Sequence, residues 1–189
     1  MWRRTRGIDN IVITIPTANC EYALPFKTTD KIIELGGGEK PLFRPNVDFR
    51  NLPTVDIVAN LEKGIPVEDE SYDGVYSNML LEHIGWRHVQ QLFNEIHRIL
   101  KPNGVCFLVT NDLLFQCNVA SERGKISIVE NAMLFGGQED TELLTGNYHK
   151  SGMSKDYAEQ LAYNAGFVGG EVLSVPGCPF DMIIELYKL

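Results

Sequence analysis

The sequence predicts a three-layer α/β fold around a mostly parallel, seven-stranded sheet that closes with an antiparallel hairpin. Three observations carry this expectation. Ile32, Ile33 and Leu35 make a short apolar strand, interrupted by Glu34, that runs straight into Gly36, Gly37 and Gly38. Further short apolar runs then alternate with segments of helical period, the order that builds parallel sheets. Two last strand-like runs, 167–175 and 181–187, are separated only by Pro176-Gly-Cys-Pro179, a link short enough for an antiparallel hairpin at a sheet edge.

The bulk properties bound the reading. A chain of 189 residues suits one domain with one sizeable core, here 1–189, with 1–30 as an N-terminal extension and 111–150 as a variable segment. Its 44% hydrophobic and 22% charged content is that of an ordinary globular protein. A net charge of −8 and a pI near 5.0 disfavour a phosphate backbone as partner, so no nucleic acid is expected. Arg3, Arg4 and Arg6 are the one basic cluster, and a solvated chain end accounts for them. None of Cys20, Cys106, Cys117 and Cys178 lies in a C-x-x-C pair, and no Cys/His group has zinc spacing, so no metal is expected. Reduced thiols fit a cytoplasmic location. No apolar run approaches the ~20 residues of a membrane span, and the N-terminus lacks a signal-peptide core.

Taken in order, Ile11, Ile13 and Ile15 alternate with Val12 and Thr14, predicting a strand before Pro16 that serves as an added edge strand or as part of a substrate wall. The strand at 31–35 follows. The link from Glu39 to Asn46 holds Pro41 and Pro45 and leaves little room for a crossover helix. Val47-Asp48 ends a short second strand, 55–59 is a third and 73–77 a fourth, with a short helix over 79–84. At 86–100, Trp86, Val89, Leu92, Phe93, Ile96, Ile99 and Leu100 recur at steps of three and four, predicting a helix that Lys101-Pro-Asn-Gly104 stops. The unbroken apolar run 105–109 reads as a strand buried on both faces. A weaker helix is expected around 121–135. Ser154 caps another that runs to Ala165 and stops at Gly166.

A glycine-rich strand end serves a nucleotide, a dinucleotide or nothing at all; the spacing around it says more. A dinucleotide site needs a helix N-terminus directly after the glycines to hold the pyrophosphate. It also needs a ribose carboxylate roughly 20 residues further on. Here the link lacks room for that helix, and Asp48 stands twelve positions after Gly36. An adenosyl cofactor without phosphate, such as S-adenosyl-L-methionine, has no need of the helix.

The stretches Glu34–Gly38, Val47-Asp48, 55–61, 72–77, Leu81-Glu-His-Ile84 and Arg98-Ile-Leu-Lys-Pro-Asn-Gly104 together resemble a class I, type 11 S-adenosylmethionine-dependent methyltransferase. The resemblance is to the branch with a shortened link after the first strand, which has a Rossmann-like three-layer sandwich. It covers roughly 30–110 and resumes at Tyr148-His-Lys150 and 161–167. It implies that Gly36, Gly37 and Gly38 pack under the methionine part of the cofactor, with Glu34 beside them, or else that Glu34 caps nearby backbone N–H groups. It implies that Asp48 accepts hydrogen bonds from both ribose hydroxyls. Asn60 stands where the family usually has an aspartate for the adenine amino group, and its carbonyl can accept the same bond. Leu61 adjoins it. Ser77 and Asn78 follow the fourth strand and would line the reaction centre, although Asn78 equally suits a helix cap. Methyl transfer needs a base only if the acceptor must lose a proton, and Asp112 and His149 are the candidates. The expected acceptor is a small molecule or a glycan. A catalytically silent cofactor-binding or interaction module and a nicotinamide-dependent oxidoreductase are the rival readings.

Overall fold

The computed structural model describes residues 9–15, 20–138 and 146–189; Arg3, Arg4 and Arg6 lie outside them. Two antiparallel strands, β1 (Asn10–Ile15) and β2 (Cys20–Lys27), form a ribbon of their own. The main sheet comprises β3 (Ile32–Leu35), β4 (Asn46–Asp48), β5 (Ile57–Val58), β6 (Tyr72–Asn78), β7 (Leu100–Asn111), β8 (Gly169–Val175) and β9 (Cys178–Tyr187), in the spatial order β5-β4-β3-β6-β7-β9-β8. Strands β3 to β7 run parallel, and β9 is antiparallel to both β7 and β8. This is the mostly parallel seven-stranded sheet with a closing hairpin. The hairpin turns on Pro176 and Gly177 alone, with Val175 paired to Cys178. Gly177 takes a φ of +77°, which suits the second central position of a tight turn after proline.

Side-chain alternation sorts the sheet into two faces. On one, Ile33, Leu35, Val75, Cys106, Leu108, Ile184 and Leu186 pack against α1 (Val89–Ile99) and α4 (Lys155–Ala165). On the other, Ile32, Tyr76, Val105, Phe107 and Ile183 meet Leu24 and Phe26 of β2. The ribbon, neither an edge strand of the main sheet nor a lining of the cavity described below, therefore supplies an outer layer. Its alternation explains this: Ile11 and Ile13 turn toward the core cluster while Val12 is 58% exposed.

The remaining helices are α2 (Leu113–Arg123) and α3 (Ile128–Phe135), with single 3-10 turns at Leu61–Lys63 and Leu81–His83. The single helix expected around 121–135 is thus two. Gly124 (φ +63°) ends α2, and Ser127 opens α3 through a capping box with Glu130. Helix α1 begins three residues later than its apolar pattern suggests. Trp86 is 62% exposed and lies under the Arg87 guanidinium instead of joining the core face. Lys101–Gly104 are strand, not a helix stop, because β7 starts at Leu100 directly after α1. Helix α4 has the predicted bounds, capped by Ser154 and ended by Gly166. Among the described residues no helix is long and apolar enough to cross a membrane.

Candidate active site

The carboxyl ends of β3, β4, β5 and β6 open on one cavity of about 740 Å³, inside the range of ~300–1,000 Å³ typical of small-molecule sites. Gly36 contributes from the end of β3, Asp48, Phe49 and Arg50 from β4, and Val58 to Glu62 from β5 and the turn after it. Met79, Leu80, His83 and Ile84 follow β6, and Gly146, Asn147 and Lys150 close the far side. Ligand crevices of open α/β sheets lie at this end of the strands.

The glycine turn is set by its neighbours. A Cβ at Gly37 would lie 2.7 Å from the Asn46 Oδ1 and 2.8 Å from the Glu34 Oε1. Asn46, wholly buried, accepts from the Gly37 N–H at 3.0 Å and donates to the carbonyls of Gly38 and Thr54. Glu34 accepts from the N–H groups of Leu42 and Phe43 at 2.6 and 2.7 Å. Its carboxylate therefore holds the link 39–45, which contains no helix. Burial raises its pKa to about 7, against the pull of those two N–H groups. Glu34, Gly37 and Gly38 shape the turn from behind, and Gly36 alone of the turn reaches the cavity wall.

Asp48 reaches the wall with its carboxylate already engaged. Oδ1 accepts from the Arg50 backbone N–H at 2.9 Å and from Nε at 3.0 Å, while Oδ2 accepts from the Gly38 N–H and from Arg50 Nη2, both at 3.1 Å. A ribose diol can share these oxygens only if the guanidinium, which is 31% exposed, lifts away. Asn60 caps the turn Leu61–Lys63, its Oδ1 taking the Glu62 N–H at 2.9 Å, which leaves one lone pair and the NH₂ group. Phe49, Val58, Ala59 and Leu61 add apolar wall beside it. A buried carboxylate for vicinal hydroxyls next to an apolar slot with an amide fits an adenosyl group.

The other predicted residues fall elsewhere. Ser77 is buried and donates its hydroxyl to the Leu35 carbonyl at 2.8 Å, pinning β6 to β3. Asn78 ends β6 just outside the wall, and Met79 after it has a φ of +54°, a conformation a methionine adopts only at some cost. Asp112 caps α2 by accepting from the Phe115 N–H at 3.0 Å and does not line the cavity. His149 lies behind the wall, its ring centroid 5.2 Å from that of His83. Burial lowers the pKa of both rings, so both imidazoles are neutral near pH 7. The His83 Nδ1 stands 3.1 Å from the Tyr148 carbonyl, which can only accept, so Nδ1 carries the proton and Nε2 keeps a lone pair.

Sequence reading missed several contributors, Arg50, Asn46 and Glu82 among them. Arg50 was legible only as the second residue past Asp48. Asn46 carried no pattern at all. Glu82 was visible in Leu-Glu-His but not as a fully buried carboxylate.

A family profile described as a methyltransferase domain matches residues 39–108. In sequence, a Mycobacterium tuberculosis phthiotriol/phenolphthiotriol dimycocerosates methyltransferase is 27% identical over 135 residues, 71% of this chain and 48% of that protein. The chain thus spans about half the length of the relatives it matches. Among solved structures, an S-adenosylmethionine-dependent methyltransferase from Mesorhizobium loti superposes with a TM-score of 0.55 at 16% identity, covering 84% of this chain and 91% of that one. A Haemonchus contortus phosphoethanolamine N-methyltransferase in complex with S-adenosyl-L-methionine gives 0.52 at 18% identity, over 80% of this chain and 36% of that one.

Proposed function

We propose, from the premise that the chain carries a class I methyltransferase domain, that it transfers a methyl group from S-adenosyl-L-methionine to a hydroxylated small-molecule or glycan-type acceptor. The observation that carries this reading is the cavity at the ends of four parallel strands, with the buried Asp48 carboxylate on its wall and no helix in the link before it. That missing helix also speaks against a dinucleotide, whose pyrophosphate would find no N-terminus to bind.

When bound, the cofactor supplies a methyl group already activated on a sulfonium. The chain's own work is positioning and exclusion of water. Asp48 accepts from the ribose hydroxyls, and Arg50 orients Asp48 until they do. Phe49, Val58, Ala59 and Leu61 cover the adenine, with Asn60 at its polar edge. Gly36 lets the backbone approach closely, since a Cβ there would already lie 2.8 Å from Leu80. His149 lies behind the wall against His83 and does not line the cavity, so it is not placed to take a proton from an acceptor hydroxyl directly. Asp112 is bound to its helix cap and is not given that part.

Calorimetry with S-adenosyl-L-methionine tests the first half, and release of S-adenosylhomocysteine with a panel of sugars, phenols and lipid alcohols tests the second. Binding and turnover together are the expected result. Binding without turnover on any acceptor would favour a silent cofactor-binding module, and no binding would overturn the reading.

A further inference from the structure

We propose that Glu82, His83 and His149 form a binding site for one divalent transition-metal ion of the zinc type, set in the wall of the cavity. One donor atom from each lies within 4.8 Å of the others, so a small inward movement of the side chains brings all three to a common ion. Two imidazoles and one carboxylate are the donor set of three-ligand catalytic zinc sites, which keep a further position open.

The independent observation is Glu82. Its side chain is 2% exposed, and its Oε2 accepts from the Thr110 hydroxyl at 2.8 Å. Its Oε1 is buried without any hydrogen-bond partner. A buried carboxylate oxygen left unpaired is costly unless a cation or a proton meets it. The atoms facing it are the two imidazoles. His83 spends Nδ1 on the Tyr148 carbonyl and so offers Nε2, as a ligating histidine does when its other nitrogen is tied to a carbonyl.

The local charge permits a cation. Arg50 and Lys150, the positive groups acting on His83, are each paired, Arg50 with Asp48 and Lys150 with Glu62 at 3.4 Å. Asp181 adds negative potential on the Glu82 side. His83 belongs both to the cluster and to the cavity wall, and Lys150, next to His149, lines the cavity too. An ion here would present its open position to whatever fills the cavity, and an oxygen ligand is what it would take. For its consequence, polarising an acceptor oxygen, the site rests on the methyl-transfer reading; for its existence it does not.

The test uses untagged full-length chain stripped with chelator and titrated with Co²⁺ alone, then with Zn²⁺ in competition. The expected result is one ion per chain, with visible d–d absorption of a low-coordinate site that Zn²⁺ abolishes. Glu82→Gln keeps the shape and the Thr110 contact, and His149→Asn keeps polarity. Each should lower affinity by more than the ~10–100-fold that loss of an outer-shell partner costs, while melting within a few degrees of the parent chain without metal. Absence of stoichiometric uptake, or uptake unchanged in both variants, overturns the proposal. Calorimetry with S-adenosyl-L-methionine on the same samples separates the two readings. Cofactor binding without metal uptake sinks the metal site alone, and metal uptake without cofactor binding sinks the methyl-transfer reading alone.

Discussion

At the scale of single residues, Asp48 and Glu34 show how similar carboxylates at neighbouring strand ends take different parts. Asp48 stands on the cavity wall, its carboxylate held by four N–H donors. Asp48→Ala should weaken cofactor binding by ~1.5–3 kcal/mol, the usual size of a lost charged hydrogen bond, and calorimetry at constant salt measures it. Glu34 titrates near 7 because it is buried, well above the 4.5 of an open glutamate. The folded state therefore binds the proton more tightly than the unfolded chain. Its stabilising effect is full below about pH 4.5 and fades as pH rises toward 7, by about 1–3 kcal/mol in all. Urea unfolding of the parent and of Glu34→Gln at pH 5 and pH 8 should show a smaller fall for the variant, whose amide oxygen still accepts from Leu42 and Phe43. The sequence marked both carboxylates but could not rank them, because burial comes from residues such as Phe43 and Tyr76 that are remote in pattern.

At the scale of elements, the turn after β3 and the link to β4 act as one unit joined by Asn46. Asn46→Ala removes a wholly buried side chain that accepts from the Gly37 N–H and donates to two carbonyls. It should destabilise the chain by about 2–3 kcal/mol and lower cofactor affinity as well. Gly37→Ala should act on the same unit by pushing Asn46 and Glu34 aside. Thermal melts and calorimetry on both variants check whether stability and affinity fall together. Strand β3 was legible because its apolar residues run straight into a glycine turn, β7 because 105–109 is an unbroken apolar run, and α4 because Ser154 and Gly166 bracket it. The division of α2 from α3 was not, since Gly124 and Ser127 signal locally while the surrounding Leu114, Ile128 and Val129 are exposed and give no period to read. Nor was the ribbon's location, because alternation tells a strand which face to bury but not against what. Of the residues on the cavity wall, Gly36 and Asp48 were legible through spacing, and Asn60 and Leu61 through the family resemblance. The cluster of Glu82 with His149 was not, since only the fold brings those two together.

At the scale of the whole molecule, the cavity draws its walls from segments spread between Gly36 and Lys150, so a ligand filling it ties the parallel half of the sheet together. S-adenosyl-L-methionine at 100 times its dissociation constant should add about 2.7 kcal/mol. For a chain of 189 residues that raises Tm by about 5–10 °C, which scanning fluorimetry reads directly; an unchanged Tm at that ratio would contradict it. The position of β9 has a further bearing on how the protein is made. Residues 182–187, all buried, are laid between β7 and β8 instead of at the rim. During synthesis from the N-terminus, β7 therefore waits with one flank of Val105, Phe107 and Val109 unpaired until β9 has left the ribosome. The nascent protein passes through a stage in which this apolar strand is an open edge, and that interval is when a chaperone has the most to protect.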